Sequence, residues 1–151
     1  MDILEGLSIV FQLNNFLLLV FGVILGIIVG AIPGLTATLA ISLLLPFTFG
    51  LEATSALIML IGIYCGGIYG GSITAILLRT PGTPGAAATV LDGYPLAQNG
   101  QAGRALGIAT TASFIGGIVS GIFLIFLAPT ISKFALKFSS AEFFALAFFG
   151  L

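Results

Sequence analysis

Residues 62–89 read GIYCGGIYGGSITAILLRTPGTPGAAAT, and the fold turns on how an otherwise apolar chain accommodates them. Gly62, Gly66 and Gly70 recur every fourth residue with Gly67 and Gly71 beside them. Arg79 follows, then Pro81-Gly82 and Pro84-Gly85, with Thr80, Thr83 and Thr89 interleaved. Glycine costs about 1 kcal/mol and proline about 3 kcal/mol in a helix interior. Unpaired amides cannot face hydrocarbon, so irregular backbone at membrane depth is tolerated only where protein or a water-filled cavity covers it. The stretch therefore predicts a helix break inside a membrane domain, the kind of place where solute sites are built.

Composition sets the surroundings. With 59% hydrophobic and 6% charged residues and a mean hydropathy of +1.28, the chain lies far from soluble proteins, in which roughly a quarter of residues are charged. The expectation is an all-α, polytopic transmembrane protein with Pro-Gly-broken or re-entrant helices, residues 1–151 forming a single transmembrane domain within the lipid bilayer. A net charge of -1 supplies no basic field, so nucleic acid is not an expected partner. Cys65 stands in an apolar run and reads as a small core residue. Asp2 and Glu5 replace the basic start of a cleavable signal. Residues 141–151 (AEFFALAFFGL) would reach only about 16 Å as a helix, half of a roughly 30 Å hydrocarbon core, which predicts a fragment of a longer chain.

Residues 1–13 alternate apolar and polar groups in the manner of an interfacial helix, and Asn14-Asn15 offer a helix start. From Phe16 to Leu51 there is no charge, and one straight helix would measure about 54 Å, more than tilt absorbs. Pro33-Gly34 divides it into half-length helices, Phe16–Ala31 and Leu35–Leu45, with Pro46 and Gly50 marking an exit before Glu52. Gly22, Gly26 and Gly30 cut a smooth face along the first half, the small-xxx-small signal for close helix approach. Ala53–Leu78, about 39 Å as a helix, reads as one span. Residues 91–104 (LDGYPLAQNGQAGR) carry turn signals at Asp92-Gly93, Pro95 and Asn99-Gly100 and read as an extramembrane loop or a cavity mouth. Ala105–Ile131 is a third uncharged run. Lys133 and Lys137 follow as an interface anchor, and with Arg79 and Arg104 opposite them the positive-inside rule ties.

Chemistry is narrowed by what is missing. The chain has no histidine, hence no Ser-His pair. It has no P-loop and no paired carboxylates, since Asp92 stands alone between Glu52 and Glu142. It reads as a non-enzyme, with no catalytic residues, no metal ligands and no cofactor. What remains is backbone amides, hydroxyls and one arginine near helix breaks. A helix that begins inside the protein presents unpaired N–H groups and about half a positive elementary charge, a ready anion site. Pro33 and Pro84 suit the first turn of such helices. The expected substrate-binding set is Gly34, Leu35, Thr36 and Thr38 at one break and Thr80, Gly82, Thr83, Gly85 and Ala86 at the other, with the threonines either lining the site or bonding their own backbone. Arg79 either snorkels to headgroups or faces the break. Asp92 is a turn former or a coupling-ion contact. A faint internal echo, Pro33-Gly34 then Ala37-Thr38 and Pro84-Gly85 then Ala88-Thr89, fits the paired broken helices of secondary transporters.

Two stretches, GAIPGLTATLAISLLLPFTFG (Gly30–Gly50) and YCGGIYGGSITAILLRTPGTPGAAATVLDGYPLAQNGQAGRALG (Tyr64–Gly107), resemble the large membrane subunit of the tripartite tricarboxylate transporters, the TctA family, over nearly half of the chain. The resemblance implies a multi-pass carrier of the bacterial inner membrane that works with a small membrane subunit and a periplasmic solute-binding protein. Such a carrier imports citrate or related carboxylates on a sodium or proton gradient rather than on ATP. It also implies that this sequence is the family's N-terminal portion, with a further Pro-Gly break in the later half. A channel and a structural membrane subunit without its own solute site are the alternatives.

Overall fold

A computed structural model describes residues 3–149, apart from the side chains of Ile3 and Phe134. The described residues form helices α1 Ile3–Val10, α2 Leu13–Gly30, α3 Ala37–Leu44, α4 Ala53–Leu78, α5 Ala87–Gln98, α6 Ala102–Ala135 and α7 Ser140–Phe149, with 3-10 turns at Leu45–Thr48 and Pro84–Ala86. Three segments, Leu13–Gly30, Ala53–Leu78 and Ala102–Lys133, are long and apolar enough to cross a membrane. The protein is a multi-pass, all-α membrane protein. The chain divides into two compact units, Met1–Thr111 and Ala112–Leu151, and the first holds the site described below.

That first unit is built on reciprocal glycine contacts between α2 and α4. A Cβ added to Gly22 would lie 2.5 Å from the Met59 carbonyl oxygen, and one on Gly70 would lie 2.5 Å from that of Ile27. At Gly26, Gly30 and Gly66 the added atom would collide with the carbonyls of Ile63, Gly67 and Val23. No residue larger than glycine lets the two backbones come so close. Because Gly22, Gly26 and Gly30 meet Met59, Ile63 and Gly67 in rising order, α2 and α4 run parallel. The chain between them must therefore travel back through the same layer, and α3 makes that return.

The beginnings of the two parallel helices are tied by a buried polar pair. The Ser55 hydroxyl donates to Asn15 Oδ1 at 2.6 Å, and Asn15 Nδ2 donates to the Ile9 carbonyl at 2.8 Å. Removing one partner strands the other, so Ser55→Ala is expected to cost about 1–3 kcal/mol of stability. The double variant Asn15→Leu/Ser55→Ala should cost less than the sum of the single changes. Thermal unfolding of the full-length subunit in detergent checks both, and strict additivity would contradict the coupling.

Several sequence expectations are corrected. The segment before the first break is a whole helix of 18 residues starting at Leu13, not a half-length one from Phe16, and Asn15 lies inside it as a buried tie rather than as a start signal. Pro33 is not in the first turn of α3: it sits in the link, Gly34 takes φ +88°, and the helix opens at Ala37 behind Thr36. The polar stretch after Thr89 is helical as far as Gln98, with Asp92, Gly93 and Pro95 inside α5, because Gly93 lets α5 settle directly on Ile76 of α4. Only Asn99-Gly100 turns, with Gly100 at φ +77°. Helix α6 continues past Pro129 to Ala135, since uncoiling in an apolar medium would leave more backbone groups unpaired than the proline does. Cys65 is exposed, because the glycines, not the cysteine, occupy the contact face of α4.

Candidate functional site

The first break starts where α2 ends against α4. Ala31 still donates to the Ile27 carbonyl at 2.8 Å, and Leu35 closes a turn onto Ile32 at 3.1 Å. The Thr36 hydroxyl oxygen then accepts the Leu39 amide at 3.2 Å, an N-cap that starts α3. Ala37, 4% exposed, abuts Gly67, whose added Cβ would lie 2.9 Å from the alanine methyl. One turn further on, Ala40 packs with Met59 and Ile63. Rising numbers on α3 meet falling numbers on α4, so α3 descends along it.

The second break follows α4. Arg79 adopts a left-handed conformation, φ 58° and ψ 20°, that ends the helix, and the chain doubles back until the Gly82 amide reaches the Gly71 carbonyl at 3.5 Å. Gly82 is wedged: a Cβ there would lie 2.9 Å from both the Gly30 carbonyl oxygen and Gly71 Cα. The Thr83 oxygen accepts the Ala86 amide at 3.3 Å, and Pro84 opens the 3-10 turn that becomes α5. Thr83 lies at the level of Gly71, Gly93 at that of Ile76, and Tyr94 beside Arg79. Helix α5 therefore ascends. The two broken helices leave this level in opposite directions with their N-termini toward one another.

Between those N-termini lies a half-open cleft of about 370 Å³, lined by Thr36, Ala37, Thr38, Tyr64, Ile68, Thr83, Pro84 and Gly85. Among the described residues no charged side chain lines it. The amides of Ala37 and Thr38 head α3 with no carbonyl four residues back to receive them, so the N-terminal partial charge is directed at the cleft. Thr36 and Thr83 use their oxygens as caps while each retains a proton to donate. Capping their own backbone and lining the site thus hold together for these two residues.

Of the residues expected at the site, Thr36, Thr38, Thr83 and Gly85 converge on the cleft. Gly34 and Leu35 belong to the link before α3. Gly82 is the buried wedge behind the cleft, Ala86 is buried with its amide on Thr83, and Thr80 turns away to donate to the Leu78 carbonyl at 3.2 Å. Arg79 lies outside the cleft, its guanidinium carbon 5.7 Å from the centre of the Tyr94 ring, and Asp92 is exposed on α5. Tyr64 and Ile68 line the cleft without having been expected there. The signal was present: they stand four apart on α4, next to the glycine face, where their side chains share one exposed stripe. Of the two tyrosines on α4, Tyr69 pairs with Thr110 at 2.7 Å and Tyr64 opens into the cleft. Among the described residues no group of His, Cys, Asp and Glu side chains could hold a metal ion. The internal echo shifts as well: Pro33-Gly34-Leu35-Thr36 corresponds to Pro81-Gly82-Thr83, since it is the capping threonine that sets the equivalence.

No solved structure matches the chain. It is 44% identical, over its whole length, to a protein of Agrobacterium vitis described as an uncharacterized 52.8 kDa protein in the TAR-I ttuC' 3' region, and it spans 31% of that protein. Residues 16–151 match the Tripartite tricarboxylate transporter TctA family. With nine-tenths of its length so matched, the chain belongs to the TctA family.

Proposed function

We propose that this chain forms the N-terminal part of the large membrane subunit of a tripartite importer. In this reading it sits in the bacterial inner membrane with a small membrane subunit and a periplasmic solute-binding protein, and it carries a di- or tricarboxylate or a related small organic acid inward on a sodium or proton gradient. It is a carrier without catalytic chemistry of its own. The observation that carries the reading is the meeting of two capped helix N-termini at one uncharged cleft. The cleft volume falls within the roughly 300–1,000 Å³ of small-molecule sites, and two helix dipoles directed at it favour an anion. Neutral donors suit a carrier, which must release its anion as well as bind it. Several fixed cations in a low-dielectric site would hold a carboxylate too tightly.

The test is uptake of labelled carboxylates into proteoliposomes containing the full-length complex and its binding protein, with and without sodium and proton gradients. Saturable, gradient-dependent uptake supports a carrier, and non-saturating flux would identify a channel. A polar thiol reagent adds a cheaper check on Thr36→Cys and Thr83→Cys in the intact complex. Reaction at both positions is expected, and protection of both would indicate a structural subunit with a dry break.

A further inference from the structure

The geometry points to a second anion site, distinct from the cleft: a groove at the end of α4 in which Arg79, Tyr94 and Gln98 hold the phosphate of an anionic membrane lipid. The groove encloses about 250 Å³ and is lined by Arg79, Val90, Leu91, Tyr94, Pro95 and Gln98. Three observations converge on it. First, Arg79 occupies the left-handed position that ends a helix, φ 58°, where glycine is the usual residue because it has no Cβ to strain. An arginine there carries a backbone strain that glycine would avoid. Second, that side chain has no carboxylate partner among the described residues. Its guanidinium is placed instead by the Tyr94 ring, 5.7 Å from the centroid, which leaves its N–H edge free for an incoming anion. Gln98 Nε2 donates to Tyr94 Oη at 3.0 Å, so the tyrosine proton is free to be donated outward and the donors lie side by side.

Third, the surroundings are those of a lipid rather than of a soluble anion. Arg79 terminates a span of 26 residues, which brings its guanidinium to the level of headgroups, where tyrosine is also enriched. Val90 and Leu91 continue the groove as an apolar wall, with Leu91 74% exposed. A phosphate on the guanidinium with an acyl chain along that wall matches both halves of the surface.

The experiment is native mass spectrometry of the delipidated full-length membrane subunit titrated with phosphatidylglycerol or phosphatidylcholine, alongside thermal unfolding. The wild type should retain phosphatidylglycerol in preference to phosphatidylcholine. Arg79→Gly should lower that retention roughly tenfold or more, as loss of hydrogen bonds to a charged group does, while its unfolding temperature in lipid-free detergent stays equal or rises because glycine relaxes the left-handed backbone. Arg79→Lys, which keeps the charge but loses the planar fork, should retain part of the binding. Equal occupancy of wild type and Arg79→Gly, or no preference for the anionic lipid, overturns the proposal. So does displacement of the lipid by millimolar inorganic phosphate or citrate, which would make the groove a soluble-anion site.

Discussion

Replacing Gly26 by leucine is expected to remove most of the folded membrane subunit while leaving the solute affinity of any surviving protein unchanged. A Cβ at Gly26 would collide with the Ile63 carbonyl oxygen and lie 2.9 Å from Gly67 N. Both are backbone atoms of α4 that cannot swing aside as a flexible side chain would. To admit leucine the two helices must separate along the whole glycine seam. In lipid that loss has no hydrophobic compensation, because helix association there rests on close van der Waals contact. Overpacking typically costs about 1–3 kcal/mol in deformable cores, and a rigid backbone contact lies at or beyond the upper end. Gly6→Leu, where among the described residues no atom lies within 4 Å of the added Cβ, is the control. Size-exclusion yield of the full-length subunit is the measurement, and normal yield with lost affinity would make the glycine face part of the solute site.

Removing a hydroxyl from the cleft should act on transport instead. Thr36→Ala and Thr83→Ala are each expected to raise the half-saturation concentration about 10-fold or more, since a hydrogen bond to a charged group contributes about 1.5–3 kcal/mol. Both threonines also cap helices, and losing a cap costs about 0.5–2 kcal/mol in its own right. Two further variants separate the effects. Thr38→Ala removes a hydroxyl that lines the cleft and caps nothing, so it should weaken uptake without changing the unfolding temperature. Thr83→Ser keeps both cap and donor and should transport nearly as the wild type does. Unchanged kinetics in all three alanine variants would make the breaks hinges and put the solute elsewhere.

The same residues divide what could be read from the chain from what could not. The uncharged runs and the four-residue glycine spacing foretold the spans and the close approach of Gly22, Gly26 and Gly30, because hydropathy and backbone sterics act locally and leave a period in the sequence. Pro-Gly pairs likewise marked both breaks. The boundaries were harder to read. Pro33 falls outside α3, while Gly93 and Pro95 fall within α5, because a contact with Ile76 outweighs the turn preference of a short polar stretch.

What the sequence by itself determined, then, is a multi-pass helical protein broken twice, with threonines at both interruptions. Only the tertiary structure decided that α2 and α4 run parallel, that α3 descends and α5 ascends, and that Thr36 and Thr83 consequently cap two helices facing one cleft. It also decided that Arg79 turns to Tyr94 instead. The physical reason is that a break frees a helix end without directing it. Direction comes from where Gly67, Gly71 and Gly82 allow one backbone to settle against another, and that contact joins residues far apart in the chain, so no local pattern records it.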